Sequence, residues 1–352
     1  MSGPYPYYGP TSVQGWINEY RVEGEHALIG EDGDHFLKWR TQSMTLLAEG
    51  KFNVNNHAHL VRGTENLTSW FFWFFAHRDL CTYLTRQGAS RYKLTKATLL
   101  KLPCPIPPLH EQKAIAEALS DVDGLLGALD RLIAKKRDLK QAAVQQLLTG
   151  QIRLPGFHGE WEVKRLGGVA EMGSGGTPPS SIAAYYDGDI PWVSISDMTK
   201  GGKVILDTER NLTREGFVNS ATHMFPVGTI LYAMYASLGE CSIAGVSLCS
   251  SQAILGIRPK DSLSGEFLYY FLTSQKALVK SLGQQGTQSN LNKRMVQAFE
   301  LSLPPLVEQT AIAQVLSDMD AELTALQQRR DKTRAIKQGM MQQLLTGQTR
   351  LV

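Results

Sequence analysis

The residues best suited to reading a nucleic acid lie in one stretch, Gly283-Gln-Gln-Gly-Thr-Gln-Ser-Asn-Leu-Asn-Lys-Arg294. Gln, Asn and Thr side chains can hydrogen-bond base edges, while Lys and Arg neutralise phosphates. Gln285, Thr287, Gln288, Asn290, Lys293 and Arg294 are therefore candidate DNA contacts. A second stretch, Arg86-Gln-Gly-Ala-Ser-Arg-Tyr-Lys-Leu-Thr-Lys96, keeps the polar and basic character but changes its identities. It adds Gln87, Arg91, Tyr92, Lys93 and Lys96. Taken alone, each stretch reads equally well as a solvated polar loop.

Other motifs carry less. Gly173-Ser-Gly-Gly-Thr-Pro-Pro has the glycines of a phosphate cradle but no P-loop lysine, and its prolines block a helix from starting there. It reads as a structural turn, with a DNA-backbone contact through Thr177 as the alternative. His57 and His59 share one face of an expected strand, without a Cys, Asp or Glu at ligand spacing, so they read as ordinary strand histidines and no metal site is expected. Glu31-Asp-Gly-Asp34 is an acidic turn, too short for a calcium loop. No Asn/Asp-Pro-Pro-aromatic motif for methyl transfer and no nucleotide-hydrolysis motif is present. The sequence offers no catalytic residues.

Composition fits that reading. The chain has 352 residues, 43% hydrophobic and 20% charged, with a net charge of +3, enough for about two globular domains. The weak positive charge permits a nucleic-acid partner without demanding one. Cys81, Cys104, Cys241 and Cys249 form no C-x-x-C pair and read as buried thiols in a reducing compartment. Met1 to Pro10 lacks a secretory pattern, and the apolar run Leu67–Phe75 is too short to span a bilayer, so a cytoplasmic location without a membrane partner is expected.

The elements that must position the polar stretches are set by a repeat. Residues 107–154 and 304–351 align without a gap (304 − 107 = 197), and more than half of the positions are identical. Pro107-Pro108 and Pro304-Pro305 open each copy, and Thr149-Gly150 and Thr346-Gly347 close it. Ile115, Leu119, Val122, Leu126 and Leu129 alternate steps of four and three. So do Ile312, Leu316, Met319, Leu323 and Leu326. This is a coiled-coil seam, expected to resume near Leu139–Leu147 and Ile336–Leu344. A helix of about 40 residues makes a rod of roughly 60 Å. Two such rods in one chain pack most simply as an antiparallel pair, the alternative being two independent helices.

Between the copies, short apolar runs bounded by turn residues predict strands at Trp192–Ser196, Lys203–Leu206, Gly228–Tyr232, Ser242–Val246 and Ala253–Ile257. A helix over Gly265–Ser281 follows. The first half has the same plan, with His26–Ile29, Phe52–Val54 and His59–Val61 before an aromatic helix near residues 68–85. The fold class is α+β, with two domains bearing small curled sheets, separated by the long repeated helices. The expected segments are residues 1–106, 107–150, 151–303 and 304–352. Trp161 to about Asp197, including Ile190-Pro-Trp-Val-Ser194, finds no sequence counterpart in the first half. The first domain is therefore expected to be incomplete at its start, and either to read its half-site poorly or to be completed by another polypeptide.

The PPLxEQxAIAxxLSDxD opening and QQLLTGQxRL close, twice in one chain around a variable domain, resemble the specificity subunits of Type I restriction–modification systems. The Gly-Thr-Pro and Ile-Pro-Trp-Val-Ser segments resemble the start of that family's target-recognition domains. The resemblance implies a non-catalytic protein whose two domains each read one half of a bipartite double-stranded DNA target. It implies methyltransferase subunits docked on the helices and nuclease–translocase restriction subunits joining them. S-adenosylmethionine, ATP and magnesium would belong to those partners, with no cofactor in this chain. The rival readings are an enzyme with an unrecognised catalytic motif and a coiled-coil interaction protein without a DNA role.

Overall fold

A computed structural model describes residues 3–87, 91–285 and 290–351. The backbone divides into two units, residues 1–133 with 326–352, and residues 134–325. Each unit combines one α+β domain with the start of one long helix and the end of the other. The long helices are Leu109–Leu148 and Leu306–Leu345. The Pro108 and Pro305 carbonyls accept the first helical amides, from Glu111 and Gln112 and from Glu308 and Gln309. Gly150 (φ 72°) and Gly347 (φ 75°) take the left-handed conformation that ends each helix.

Within each unit the helix segments run antiparallel. In the first, Glu111 pairs with Arg350 (2.5 Å), Asp123 with Lys337 (2.5 Å) and Asp130 with Arg330 (3.8 Å). In the second, Lys136 pairs with Glu322 (2.7 Å), Lys140 with Asp320, and Arg153 with Glu308 (2.5 Å). Partner numbers fall as residue numbers rise. Ile115, Leu119 and Leu129 are buried, as are Ile312, Leu316 and Leu323; Val122, Leu126, Met319 and Leu326 are half-buried. The seam does not resume through Leu139 and Ile336, which are 47% and 50% exposed. Lys140 and Lys337 turn to Asp320 and Asp123, and a neighbour one residue away points about 100° off that face. Leu147, Leu148, Leu344 and Leu345 close the seam instead.

In the second unit a five-stranded sheet runs in the order Ala170–Ser174, Ile254–Pro259, Ile230–Ala233, Cys241–Ala244, Val204–Ile205. The helix Gly265–Ser274 packs on it, burying Phe267, Leu268 and Phe271 against Tyr232, Leu255, Ile257 and helix residues Ile312 and Leu316. The single helix expected through Ser281 is two, broken at Gln275. The run expected as a strand at Trp192–Ser196 ends at Val193, because Ser194 caps a helix with Asp197 in a reciprocal capping box.

The first unit repeats the sheet's centre, with His26–Gly30 between Thr45–Ala48 and Ala58–Val61. The helix Thr68–Ala76 buries Trp70, Trp73, Phe74 and Phe75 with Ile115, Leu119, Leu344 and Leu345. One expectation is corrected here. Ile190–Val193 does have a structural counterpart, Tyr5–Tyr8. Tyr7 and Tyr8 pair in parallel with Asn53 and Val54, as Trp192 and Val193 pair with Cys249 and Ser250. Both strands also take an antiparallel neighbour, Val13–Ile17 and Arg210–Leu212. The sequences diverged while the pairing stayed.

Cys241 and Cys249 are buried thiols, whereas Cys81 and Cys104 are only half-buried, against the expectation for all four. Burial pushes the Cys249 thiol up to about 11, which keeps it protonated. Among the described residues no helix is long and apolar enough to cross a membrane.

Candidate nucleic-acid interface

Both candidate stretches are anchored in the same way. In the first unit the Leu94 amide donates to Glu31 O (2.7 Å), and Leu94 is buried. Thr95 then caps a short helix, Lys96–Leu99, its hydroxyl accepting from the Thr98 amide. In the second unit the Leu291 amide donates to Met234 O (3.0 Å), and Asn292 caps Lys293–Gln297 by accepting from the Met295 amide. Leu-Thr-Lys and Leu-Asn-Lys are thus one device: a core leucine, an N-cap, and an exposed lysine on the first helical position.

The remaining candidates scatter in role. Tyr92 packs on the first unit's core, with the Arg86 guanidinium 5.6 Å from its ring. Lys93 is held by Glu31 at 3.3 Å, while Arg86 and Lys96 are exposed. Gln87 and Arg91 pair across a hairpin, Thr85–Gln87 with Arg91–Lys93; their side chains lie outside the described set. Gln285 ends the helix Lys276–Gln285, its side chain likewise outside it, and Thr287 and Gln288 fall outside the described residues. Asn290, Lys293 and Arg294 are exposed.

Thr177 joins the second site through the sheet. Its hydroxyl accepts from the Gln252 amide (3.3 Å), the Met234 amide donates to Ala253 O (2.9 Å), and Met234 O accepts from Leu291. Thr177, Gln252 and Asn290 therefore gather at one end of the five-stranded sheet. The glycines before Thr177 are structural. The Gly175 and Gly176 amides donate to Ile254 O and Ser250 O, and a Cβ on Gly176 would stand 2.3 Å from the Thr222 amide nitrogen. Trp192 Nε1 donates to Gly176 O (3.0 Å) and Tyr186 OH to Pro178 O (2.7 Å). Those amides have no capacity left for a phosphate.

Tyr235 and Gln252 are exposed at the same sheet end, and sequence reading passed them by. The signal was the Tyr235-Ala-Ser-Leu-Gly turn, where Ala236 adopts a left-handed φ of 56°, a strained state for a residue with a Cβ. In the first unit the equivalent connection is longer and acidic; Glu31 pairs with Lys93, the Asp32 carboxylate lies 3.2 Å from His57 Nδ1, and Asp34 is exposed. His59 Nε2 lies 2.7 Å from Leu94 O, so both histidines have protein partners. Against the expectation, His57 sits in the turn before the strand Ala58–Val61 and does not share its face.

The glutamate and glutamine of each PPLxEQ motif do the joining. Gln112 Oε1 accepts from the Leu67 amide (3.0 Å), while its Nε2 donates to Asn66 Oδ1 and Pro107 O. Gln309 Oε1 accepts from the Ser264 amide (2.8 Å), while its Nε2 donates to Ser262 O and Pro304 O. Each glutamine ties a long helix to the N-terminus of its domain's own helix. Glu111 and Glu308 take bidentate bonds from the arginine of the opposite QxRL motif. The Arg350 guanidinium holds the Glu111 carboxyl below the usual carboxylate range.

A family model described as the Type I restriction modification DNA specificity domain matches residues 1–135 and 158–334. The MjaX specificity subunit of a type I restriction enzyme from Methanocaldococcus jannaschii is 25% identical over 289 residues, 79% of this chain and 66% of that protein. The MjaIX specificity subunit of the same organism is 32% identical over 164 residues, 46% of this chain and 38% of that protein. The crystal structure of a Type I restriction–modification S subunit from M. genitalium superposes with a TM-score of 0.61 at 16% identity, covering 97% of this chain and 88% of that one. That likeness is one of fold.

Proposed function

This chain belongs to the Type I restriction modification DNA specificity family, and we propose that it reads a bipartite double-stranded DNA target without catalysing a reaction itself. Each unit reads one half-site. The helices hold methyltransferase subunits, and restriction subunits assemble on that complex. S-adenosylmethionine, ATP and magnesium are assigned to those partners.

One observation carries the reading. The two units share the Leu-cap-Lys anchor bond for bond, yet the residues leading into it differ, Arg91-Tyr-Lys in one and Ser289-Asn in the other. A retained frame with a changed reading edge is what recognition of two different half-sites requires. The lysines position the backbone, and amide and hydroxyl side chains such as Asn290, Gln252 and Thr177 read bases.

The test is co-expression with a Type I methyltransferase subunit that co-purifies with this chain, followed by methylation mapping of the host DNA. A two-part methylated motif with a fixed gap is the expected result. Loss of the second part's specificity, with the first retained, is expected for Asn290→Ala with Gln252→Ala. A methylated complex whose motif is unchanged by those substitutions overturns the assignment of the reading edge.

A further inference from the structure

In the second unit the Glu308–Arg153 pair is covered by the chain that follows it. Arg153 donates to Gly159 O (2.5 Å) and His158 O (3.4 Å), and Trp161 Nε1 donates to Glu308 Oε2 (3.2 Å). The indole sits against Gly150, where an added Cβ would lie 3.4 Å from the ring, and the Arg153 guanidinium is 5.2 Å from its centroid. The segment continues by burying Leu166 and Val169 and laying Ala170–Ser174 along Ile254–Pro259.

The repeat-equivalent positions in the first unit form a similar receiving surface. There Glu111 is itself buried, while the side formed by Arg350, Gly347 and Ile106 is uncovered among the described residues. Arg350 makes the same two bonds to Glu111, both 2.5 Å, but its side chain is 59% exposed where that of Arg153 is 22% exposed. An added Cβ on Gly347 meets open space. A cavity of about 250 Å³ lies there, lined by Glu111, Gly347, Arg350, Trp70 and Ile106. Ile106 is 55% exposed, whereas Leu303 at the equivalent position is 7% exposed. The strand Ala58–Val61 matches Ile254–Ile257 in its pairing to the sheet centre. Ile254–Ile257 is buried throughout, while Ala58, His59 and Val61 are half-buried and Leu60 is exposed. Among the described residues that strand has a neighbour on one side only.

We propose that this face of the first unit docks a tryptophan-bearing extended segment of a second polypeptide, of the chemistry that Trp161–Ser174 supplies to the second unit. The indole N–H donates to the Glu111 carboxylate, and the ring lies between Gly347 and the Arg350 guanidinium, which gains a cation–π contact. The strand that follows adds to the edge of Ala58–Val61 by backbone hydrogen bonds. Pro103 and Pro105 stand where the second unit has Glu300 and Ser302, so two amides are missing from the intervening stretch. Recognition therefore concentrates on the indole seat and the strand edge. The proposal does not depend on DNA reading, and its test has no DNA in it.

A fluorescein-labelled synthetic peptide with the sequence of residues 155–176 is titrated against the full chain and followed by anisotropy. Saturable binding is expected, with amide exchange slowed at His59 to Val61. The peptide carrying Trp161→Ala and the chain variants Glu111→Gln and Arg350→Ala are each expected to bind at least about tenfold more weakly. Glu308→Gln in the chain is expected to leave the affinity unchanged. Arg350 is exposed, so its variant remains informative if Glu111→Gln fails to fold. Absence of saturable binding to about 1 mM, equal binding of the Trp161→Ala peptide, or loss of binding with Glu308→Gln alone each overturns the proposal.

Discussion

Each unit has a cleft where its domain meets its helix pair, and the two clefts are built from repeat-equivalent positions. In the second unit Arg137, Lys140, Tyr269, Tyr270 and Thr273 line a space of about 310 Å³. In the first unit Arg334, Lys337, Phe74, His77 and Arg78 stand at equivalent or adjacent positions, and the space is about 1120 Å³. The ion pair at the floor is retained, Lys140–Asp320 in one and Lys337–Asp123 in the other. The rim is not. The longer connection after His26–Gly30 adds Trp39 and Arg40 to the first cleft, and Arg78 lies 3.8 Å over Phe74. The Lys–Asp and Glu–Arg pairs recur at equivalent positions in both halves, whereas Asp130–Arg330 and Lys136–Glu322 each occur in one half only. The outward-facing rims diverge most because no buried polar pair there must be satisfied.

The two carboxylates of the PPLxEQ motifs give that comparison its most severe trial. Glu308 is fully buried and receives three donor atoms, so Glu308→Ala should lower the denaturation midpoint most, by leaving the half-buried Arg153 guanidinium and the Trp161 indole N–H short of their partner. Glu111→Ala should lower the denaturation midpoint less, since Arg350 can turn to water. Urea titration of both variants checks the order, and an equal loss would show that Trp161 adds nothing to the second seat.

The glutamines should behave alike. Gln112→Ala and Gln309→Ala each strand a buried amide, of Leu67 or Ser264, and each should cost about 1–3 kcal/mol. Unequal losses would mean that the shared frame is shared in geometry only. Thr95→Ala and Asn292→Ala remove the two N-caps, for about 1 kcal/mol each.

Acid should separate the units further. The Glu111 carboxyl is held below its ordinary value near 4.5 by Arg350. Its contribution is complete above that value and is lost as pH falls through the lowered one. Thermal melts between pH 6 and 3 should therefore show a steeper acid limb for the parent than for Glu111→Gln. Smallest of all, Lys96→Ala or Lys293→Ala should reduce the salt slope of DNA binding by about one. Lys93→Ala should change it less, because Glu31 already holds that lysine.

Much of this was legible in the chain. The 197-residue repeat fixed two helices of equal length, their proline openings and glycine ends, and an antiparallel pairing follows from placing a whole domain between them. Strand positions around Ile230, Ile243 and Ile257 followed from short continuous apolar runs bounded by turn residues, because these central strands are buried on both faces. The correspondence of Tyr5–Tyr8 with Ile190–Val193 was not legible, since strand pairing is made by backbone atoms that any side chain can supply. Leu139 and Ile336 misled for a related reason: an apolar residue on a heptad count says nothing of a lysine beside it that reaches an aspartate on the other helix. The sequence alone determined that the protein is two copies of one plan. Tertiary structure decided which copy covers its Glu–Arg pair and which polar residues share a sheet end, because both depend on contacts between segments more than a hundred residues apart, or joined only through the sheet.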